Sequence, residues 1–425
     1  MARETAKADV SETESPERQR DFRHLWAGLG VSQLGTAISG VALPIIAITV
    51  LHSSTFQVAI LAVMRPVTAA LISFPAGTFV EFHRKRPVMI AADLIRLITM
   101  ASIPIAAILH VLAFWQLCAV SVVVTVATIA FSSASQANLV DLVSREHVVE
   151  RNGQLQSTNW LNLSAGPAIG GWLVSWLTAP GAVAADAVSF VASAVAVWRI
   201  RTREPAPPQR TPTVGHLREA TEGLEFAWHD AQLRRLLISW VVFAGCVGMT
   251  GPINNVFLLR DRHFSPFEYG MIMGIASVGG FAGSRLVKPT VNRLGIARAL
   301  YWGSVLRAPW YVLIPLAGPG LGGVALCSVS MSGVLIFSAL ANSAMGSLRQ
   351  ILTPDRLMSR VATLWSFSTA IGQPVFILAG GQLAASFGTR PVLFAVPVVV
   401  LLSALILPRD EHPRATRPAT VSASR

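Results

Sequence analysis

Five charged side chains lie inside long apolar stretches of this sequence, and their chemistry stands out first. They are Arg65, Asp93, Arg96, Asp186 and Arg307. A charge placed in hydrocarbon costs at least ~2.5–3.5 kcal/mol, so each should face protein or water and find a partner. A carboxylate in such a place can take up and release a proton. One interpretation therefore makes Asp93 or Asp186 a protonatable coupling site, and Arg65 a charge in a cavity.

The same residues also have a purely structural interpretation. Asp93 and Arg96 are three residues apart, which makes them neighbours on one face of a helix. A buried pair of this kind can simply hold helices together. Arg65 has no acid one helical turn away, and about nine residues into its segment it would lie ~13 Å deep. Both interpretations stay open from the sequence alone.

The composition predicts a chain that crosses a membrane many times. Of its 425 residues, 52% are hydrophobic and 13% are charged, about half the charged fraction of an average soluble domain. Of the 34 lysines and arginines, three lie within apolar segments and three (Arg260, Arg262 and Arg390) lie in loops on one side, which leaves 28 on the other side. This asymmetry indicates a membrane topology and not a nucleic-acid-binding face.

Twelve apolar segments follow a polar tail, and most are long enough to cross a core about 30 Å thick as one helix. They are expected near residues 25–50, 56–80, 87–109, 112–134, 152–177, 180–198, 235–258, 265–288, 298–317, 322–342, 360–386 and 390–407. The hairpin tip at residues 77–86, GTFVEFHRKR, cannot enter hydrocarbon, and the positive-inside rule assigns it to the cytoplasm. An even number of crossings puts both termini on that side.

One long loop splits the segments into six and six. The expected parts are a cytoplasmic tail, a six-helix bundle, a central cytoplasmic loop, a second bundle and a second tail, over residues 1–24, 25–198, 199–234, 235–407 and 408–425. Residues 216–237 are expected to form an amphipathic helix on the inner membrane face. A shift of 211 residues lays Arg96 on Arg307 and Pro104 on Pro315, which indicates that the halves repeat. The predicted fold class is an all-α membrane protein of twelve transmembrane helices in two pseudo-repeated six-helix bundles with a cavity between them.

The hairpin tip resembles the motif that the major facilitator superfamily carries between its second and third helices. The places of the motif's glycine, acid and two bases are held by Gly77, Glu81, Lys85 and Arg86. The tip departs from the motif in having Glu for Asp, Phe82 where a base is common and Arg84 where glycine is common. The resemblance implies a conformational latch, in which Glu81 pairs with an arginine or a helix N-terminus in one state and releases it in another. The alternative is a topological anchor of positive charges.

The fifth segment resembles the antiporter motif of drug exporters in that superfamily. The motif spacing is kept at Gly153, Asn162, Gly166, Pro167, Gly170 and Gly171. Asn162, which replaces an expected glycine, recurs with Gly166 and Gly170 every four residues, so these positions share a face where another helix can approach. Pro167 removes a backbone donor and bends the helix. The alternative is small-residue packing, which is common in any membrane bundle.

Further stretches are similar to the drug:proton antiporter branch that holds macrolide and enterobactin exporters: SQLGTAISGVALP, ADLIR, NLVDLVSREHVVERNG and LREATEGLEFAWHDAQLRRLL. The resemblance, over residues 22–407, implies a multi-pass secondary active transporter in a bacterial plasma (inner) membrane. It implies export of drug-like or secondary-metabolite small molecules by alternating access, with the proton gradient as energy source and no cofactor. The expected partners are the substrate, protons and the lipid bilayer, with the chain acting as a monomer. Members of this branch often have an acid at the position of Thr36, and its absence here removes a possible proton carrier. An importer or uniporter without proton coupling is therefore the alternative. A membrane sensor or receptor is a more remote alternative.

Polar side chains in three segments could line a cavity or make hydrogen bonds between helices. They are Gln33, Thr36, Asn159, Asn254 and Asn255. The sequence contains no HExxH motif and no evident set of nucleophile, base and acid, and none of its three lysines follows a glycine as in a P-loop. The sequence therefore predicts neither an enzyme, a metal site nor an ATP-driven pump.

Overall fold

The structure is a computed structural model that describes residues 16–143, 147–202, 204, 226–354 and 357–408. In these residues the chain is helical with short connections and has no strand. Its twelve long helices are Pro16–Ile45 (α1), Thr55–Glu81 (α2), Lys85–Ile108 (α3), Phe114–Leu142 (α4), Val148–Leu177 (α5), Ala179–Trp198 (α6), Ala231–Val256 (α7), Pro266–Leu294 (α8), Ile296–Leu316 (α9), Leu321–Leu352 (α10), Met358–Phe387 (α11) and Thr389–Leu405 (α12). Nine helical stretches of the described chain are long and apolar enough to cross a membrane. The chain is therefore an all-helical membrane protein.

Helix α1 begins earlier than the apolar pattern predicts. Residues 16–24, which the sequence assigned to a polar tail, already belong to the helix. Asp21 in this polar part is 0% exposed, and its carboxylate accepts hydrogen bonds from the backbone N–H groups of Arg201 and Thr202 over 2.8 and 2.7 Å. The polar first turns are thus held against the chain that leaves α6.

The amphipathic helix predicted at residues 216–237 lies outside the described residues up to residue 225. Residues 226–229 are helical, and α7 then starts anew after Asp230. The carboxylate of Asp230 accepts the N–H groups of Gln232 and Leu233 over 2.9 Å each, as an N-cap does. The described residues thus enter α7 through a capped break, and not as one helix running to residue 237.

The chain divides into two compact units. The first comprises Met1–Pro212 with Asn255–Gly274, and the second comprises Thr213–Asn254 with Ile275–Arg425. Within the first unit, α1 packs against α5 and α6, α3 packs against α4 and α6, and α2 packs against α4. Within the second unit, α9 packs against α10 and α12. Residues 255–274, at the end of α7 and the start of α8, group with the first unit, and the predicted boundaries of the two bundles stay a prediction.

The offset of 211 residues recurs in the backbone geometry. Helices α1 and α7 each run into a π-helical turn, at Ile46–Val50 and Phe257–Asp261, and 257 − 46 is 211. His52 and His263 follow with positive φ angles of 47° and 55°. The next helix then starts in both cases from a reciprocal capping box, formed by Ser54 with Gln57 and by Ser265 with Glu268. Three local features at one offset make the repeat a property of the fold.

Candidate functional site

A buried ion pair of the first unit joins Asp93 and Arg96. The carboxylate and the guanidinium are in direct contact, and their side chains are 0% and 2% exposed. Arg96 also donates to the Ser32 hydroxyl of α1 over 3.4 Å, and its guanidinium lies 4.4 Å from the ring centroids of both Phe131 and Phe190. The predicted proximity of Asp93 and Arg96 is confirmed. Because the two charges compensate each other, the pair fits a structural role better than that of a proton carrier.

We expect Asp93→Asn to destabilise the protein by about 3–5 kcal/mol, because Arg96 would be left buried without a counter-charge. The measurement is thermal unfolding of the detergent-purified protein, followed by tryptophan fluorescence. The double variant Asp93→Asn/Arg96→Met removes both charges and should recover most of the loss. Equal losses in the single and double variants would contradict the pair as the source of this stability.

A second buried carboxylate, Asp186 of α6, has a different environment. It is 1% exposed, and the Ser189 hydroxyl donates a hydrogen bond to its Oδ1 over 3.2 Å. It lies against α1 at Gly35, where an added Cβ would overlap Asp186 Oδ1. None of the ion pairs in the described part of the chain includes Asp186, and Arg96 and Arg65 act on it only through space. Asp186 is therefore a buried carboxylate that is not committed to one cation.

The two remaining arginines of the set have opposite environments. Arg65 is exposed on α2 and takes part in none of the ion pairs among the described residues. Arg307 of α9 is 1% exposed, and its guanidinium carbon lies 3.3 Å from the ring centroid of Phe243. The exposure of Arg65 is compatible with a charge on a water-filled cavity, and its role there stays a prediction.

Lys85 holds the hairpin tip between α2 and α3 together by hydrogen bonds to backbone carbonyl groups. The ammonium group of Lys85 donates to the carbonyl oxygens of Val80, Glu81 and His83 over 2.7, 2.9 and 3.0 Å. These bonds satisfy carbonyl groups at the C-terminal end of α2, where a cation is also favoured by the helix dipole. The side chain of Glu81 is exposed, and Gly77 lies in the last turns of α2.

The acid that contacts the basic tip is Glu204 of the central loop, which the sequence reasoning does not identify. Its carboxylate accepts hydrogen bonds from the backbone N–H groups of Lys85 and Arg86, at the N-terminus of α3, over 3.0 and 2.6 Å. Nε of Arg86 lies 3.5 Å from Glu204 Oε1, and Arg86 Nη1 donates to the Ile200 carbonyl over 2.8 Å. A carboxylate is favoured at a helix N-terminus. The sequence signal for this contact is a single acid in the basic stretch RIRTREP.

The glycine motif of α5 faces α1. Asn162 donates a side-chain N–H to the Gly30 carbonyl over 2.9 Å. An added Cβ at Gly166 would overlap a side chain of α1, and one at Gly170 would lie 3.1 Å from the α1 backbone. The four-residue spacing therefore does mark a face of close helix approach. A Cβ at Gly153 would meet nothing within 4 Å among the described residues, and its place in the motif stays a prediction.

Gly171, the last glycine of the motif, contacts a different helix, α8. An added Cβ at Gly171 would lie 2.5 Å from the Pro266 carbonyl oxygen and 2.8 Å from the Gly270 Cα. Reciprocally, a Cβ at Gly270 would lie 2.7 Å from the Pro167 carbonyl oxygen and 2.8 Å from the Gly171 Cα. Only glycine fits at both positions. The sequence signal on α8 is the pair Gly270 and Gly274, which have the GxxxG spacing of membrane helix contacts.

The predicted cavity-lining polar residues have mixed environments. Thr36 donates its hydroxyl to a carbonyl one turn earlier in α1 over 2.9 Å, and Asn255 accepts a hydrogen bond from a tyrosine hydroxyl of α8 over 2.7 Å. Asn254 is buried, and its Oδ1 has no partner among the described residues. Asn159 is exposed and Gln33 is half-buried. Asn255 thus makes a hydrogen bond between helices, which is the structural alternative for this set, whereas the Thr36 bond lies within α1.

Most of the chain is similar to known membrane transporters. The family model described as Major Facilitator Superfamily matches residues 25–372. The chain is 23% identical over 381 residues to the multidrug efflux pump Tap of Mycolicibacterium fortuitum, which covers 84% of this chain and 88% of that protein. It is similar in structure to a bacterial homologue of the iron transporter ferroportin in an inward-facing state, with a TM-score of 0.75, 15% identity and coverage of 91% of this chain and 98% of that chain. A bacterial homologue of the human lysosomal transporter Spinster, inward-facing and unoccupied, gives a TM-score of 0.70, 16% identity and coverage of 93% and 97%. At these identities the two structures establish the fold alone.

Proposed function

Because this chain belongs to the major facilitator superfamily, we propose that it is a proton-coupled exporter of drug-like or secondary-metabolite small molecules. Membership in the family makes it a membrane transporter and not an enzyme. The observation that carries the coupling is Asp186, a buried carboxylate of α6 that lies against α1 outside every ion pair of the described residues. Export is supported by the likeness to Tap, which is named as a multidrug efflux pump.

The proposal includes twelve crossings of a bacterial plasma (inner) membrane, with both termini in the cytoplasm. Nine described stretches have the length and composition to cross. With α5, α9 and α12 crossing as well, 28 of the 34 lysines and arginines fall on one side, as the positive-inside rule requires. The chain acts as a monomer, and its energy source is the proton gradient without a cofactor.

Asp186 is the carboxylate that best fits the role of proton carrier. A proton that enters from outside neutralises it, which changes the cost of keeping the group buried and shifts the balance between conformations. Asp93 is less suited because Arg96 holds it, and Glu81 is less suited because it is exposed at a helix end. Asp186 lies against Gly35, the neighbour of Thr36, so α6 brings a carboxylate to the part of α1 where related exporters often carry one.

Alternating access requires close helix contacts that separate and reform. The contact of α5 with α8 at Gly171 and Gly270 is the proposed element of this kind. Because neither residue has a side chain, the two backbones can touch and separate without rearranging packed side chains. On the cytoplasmic side, the proposed latch consists of Gly77, Glu81, Lys85 and Arg86. Glu204 is added to it, because its carboxylate binds the N-terminus of α3.

An importer or uniporter without proton coupling is the alternative function. The observation that favours it is Thr36, whose hydroxyl is bonded within α1 at the position where an acid is common in the exporter branch. In that case Asp186 would be a structural group, held by Ser189.

We expect cells of a pump-deficient bacterium that express this chain to accumulate less of at least one macrolide, dye or siderophore than control cells. A protonophore should restore accumulation, because it removes the gradient that drives export. The measurement is the uptake of labelled or fluorescent compounds with and without the protonophore. A substrate gradient that survives the protonophore would favour the uncoupled alternative, and unchanged accumulation across the panel would contradict export of these classes.

A further inference from the structure

A buried positive charge lies in the second unit without a carboxylate partner among the described residues. Arg307 is 1% exposed, and its Nε and Nη2 have no hydrogen-bond partner among the described residues. Residues 231–254, 275–354 and 357–408, which hold the long helices of this unit, contain no Asp or Glu. A buried guanidinium is costly unless an anion pairs with it. Among the described residues of these long helices, Arg307 therefore has no carboxylate as counter-charge.

The internal repeat shows which group is missing. At the offset of 211 residues, Arg307 corresponds to Arg96, and Ser304 corresponds to Asp93. In the first unit the acid contacts the arginine at the i,i+3 spacing. In the second unit Ser304 takes the place of the acid, is 0% exposed, and has no hydrogen-bond partner for its Oγ among the described residues. The described part of the second unit thus keeps the arginine, and an uncharged hydroxyl replaces the carboxylate that balances it in the first unit.

The surroundings of Arg307 do not supply a carboxylate. The ring of Phe243 lies under the guanidinium at 3.3 Å. An aromatic face attracts a cation, but it cannot accept the in-plane N–H groups of a guanidinium as a carboxylate does.

We propose that Arg307 and Ser304 form a binding site for a small monovalent anion, which is either a free ion such as chloride or the carboxylate of a transported molecule. Nε and Nη2 of Arg307 and the hydroxyl of Ser304 are the donors, and hydrogen bonds from a guanidinium to an anion are among the strong ones. The anion occupies the place that Asp93 fills beside Arg96. The site does not depend on proton coupling, so its test is separate from that of the proposed function.

The test is thermal unfolding of the detergent-purified full chain in sodium gluconate, chloride, formate, acetate or benzoate at constant ionic strength. We expect at least one of the smaller anions to raise the apparent melting temperature by about 2–5 °C over gluconate, in a saturable way. An effect limited to chloride and formate identifies a free ion. An effect that extends to benzoate at lower concentrations identifies the carboxylate of a larger molecule.

Two variants of nearly equal shape assign the effect to this site. Ser304→Asp restores the acid of the repeat, so it should raise the melting temperature in gluconate and remove the dependence on anions. Ser304→Asn has the same shape without the charge and should keep the dependence. A wild-type protein with the same melting temperature in all five salts would overturn the proposal. An anion effect in Ser304→Asp equal to that in Ser304→Asn would overturn it as well.

Discussion

Asp186→Asn is expected to abolish export driven by a proton gradient, because an amide cannot take up and release the proton. Asn has the size of Asp and can still accept the hydrogen bond of Ser189, so the packing against Gly35 is kept. The substrate gradient that the imposed pH gradient builds up should therefore fall to the level of liposomes without the protein. The measurement is substrate efflux from proteoliposomes with an imposed pH gradient.

Exchange of labelled for unlabelled substrate without a pH gradient separates lost coupling from lost folding. Because the amide resembles the protonated carboxyl group, Asp186→Asn should still exchange substrate. Ser189→Ala is the matched control, since it removes the hydrogen bond and leaves the ionisable group in place. It should keep export that depends on the pH gradient, at a reduced rate. Wild-type gradients in Asp186→Asn would reject Asp186 as the coupling residue.

The sequence predicts two kinds of feature well: contacts within a single helix and properties of the whole chain. It predicts few contacts between particular helices. Asp93 and Arg96 meet because they share a helix face, whatever the tertiary structure. The glycines of α5 mark a face of close approach by their spacing, although the spacing does not say which helix arrives. The membrane fold follows from the charge asymmetry and the repeat offset, which belong to the whole sequence and need no particular contact.

The contacts that the sequence does not reveal depend on large separations or on helix rotation. Glu204 reaches the N-terminus of α3 from 118 residues away, and Gly270 meets α5 from a different helix. The position of Asp186 against Gly35 depends on how α6 is rotated, and apolar patterns do not set this rotation because lipid-facing and protein-facing positions are both apolar. The helical residues 16–24 were not predicted for another reason, since hydropathy marks only the apolar part of a helix.

Gly171→Ala is expected to reduce export by about 5–150-fold, although it adds a single methyl group. The new Cβ would lie 2.5 Å from the Pro266 carbonyl oxygen and 2.8 Å from the Gly270 Cα, closer than non-bonded atoms approach. Overpacking typically costs ~1–3 kcal/mol, and this cost applies only to the conformation in which α5 and α8 touch. The measurement is the export rate, at matched expression, of a compound identified by the accumulation panel.

Gly346→Ala on α10 is the matched control, because a Cβ there meets nothing within 4 Å. Ala is favoured over Gly inside a helix by ~1 kcal/mol, so Gly171→Ala and Gly346→Ala should both stabilise the helix that carries them. Only Gly171→Ala, which lies where α5 contacts α8, should lose export. Gly270→Ala adds its methyl group from the opposite side and should reproduce the loss. The double variant should lose little more than either single one, because both remove the same contact. Wild-type export in Gly171→Ala and Gly270→Ala would show that the transport cycle does not pass through this close approach of α5 and α8.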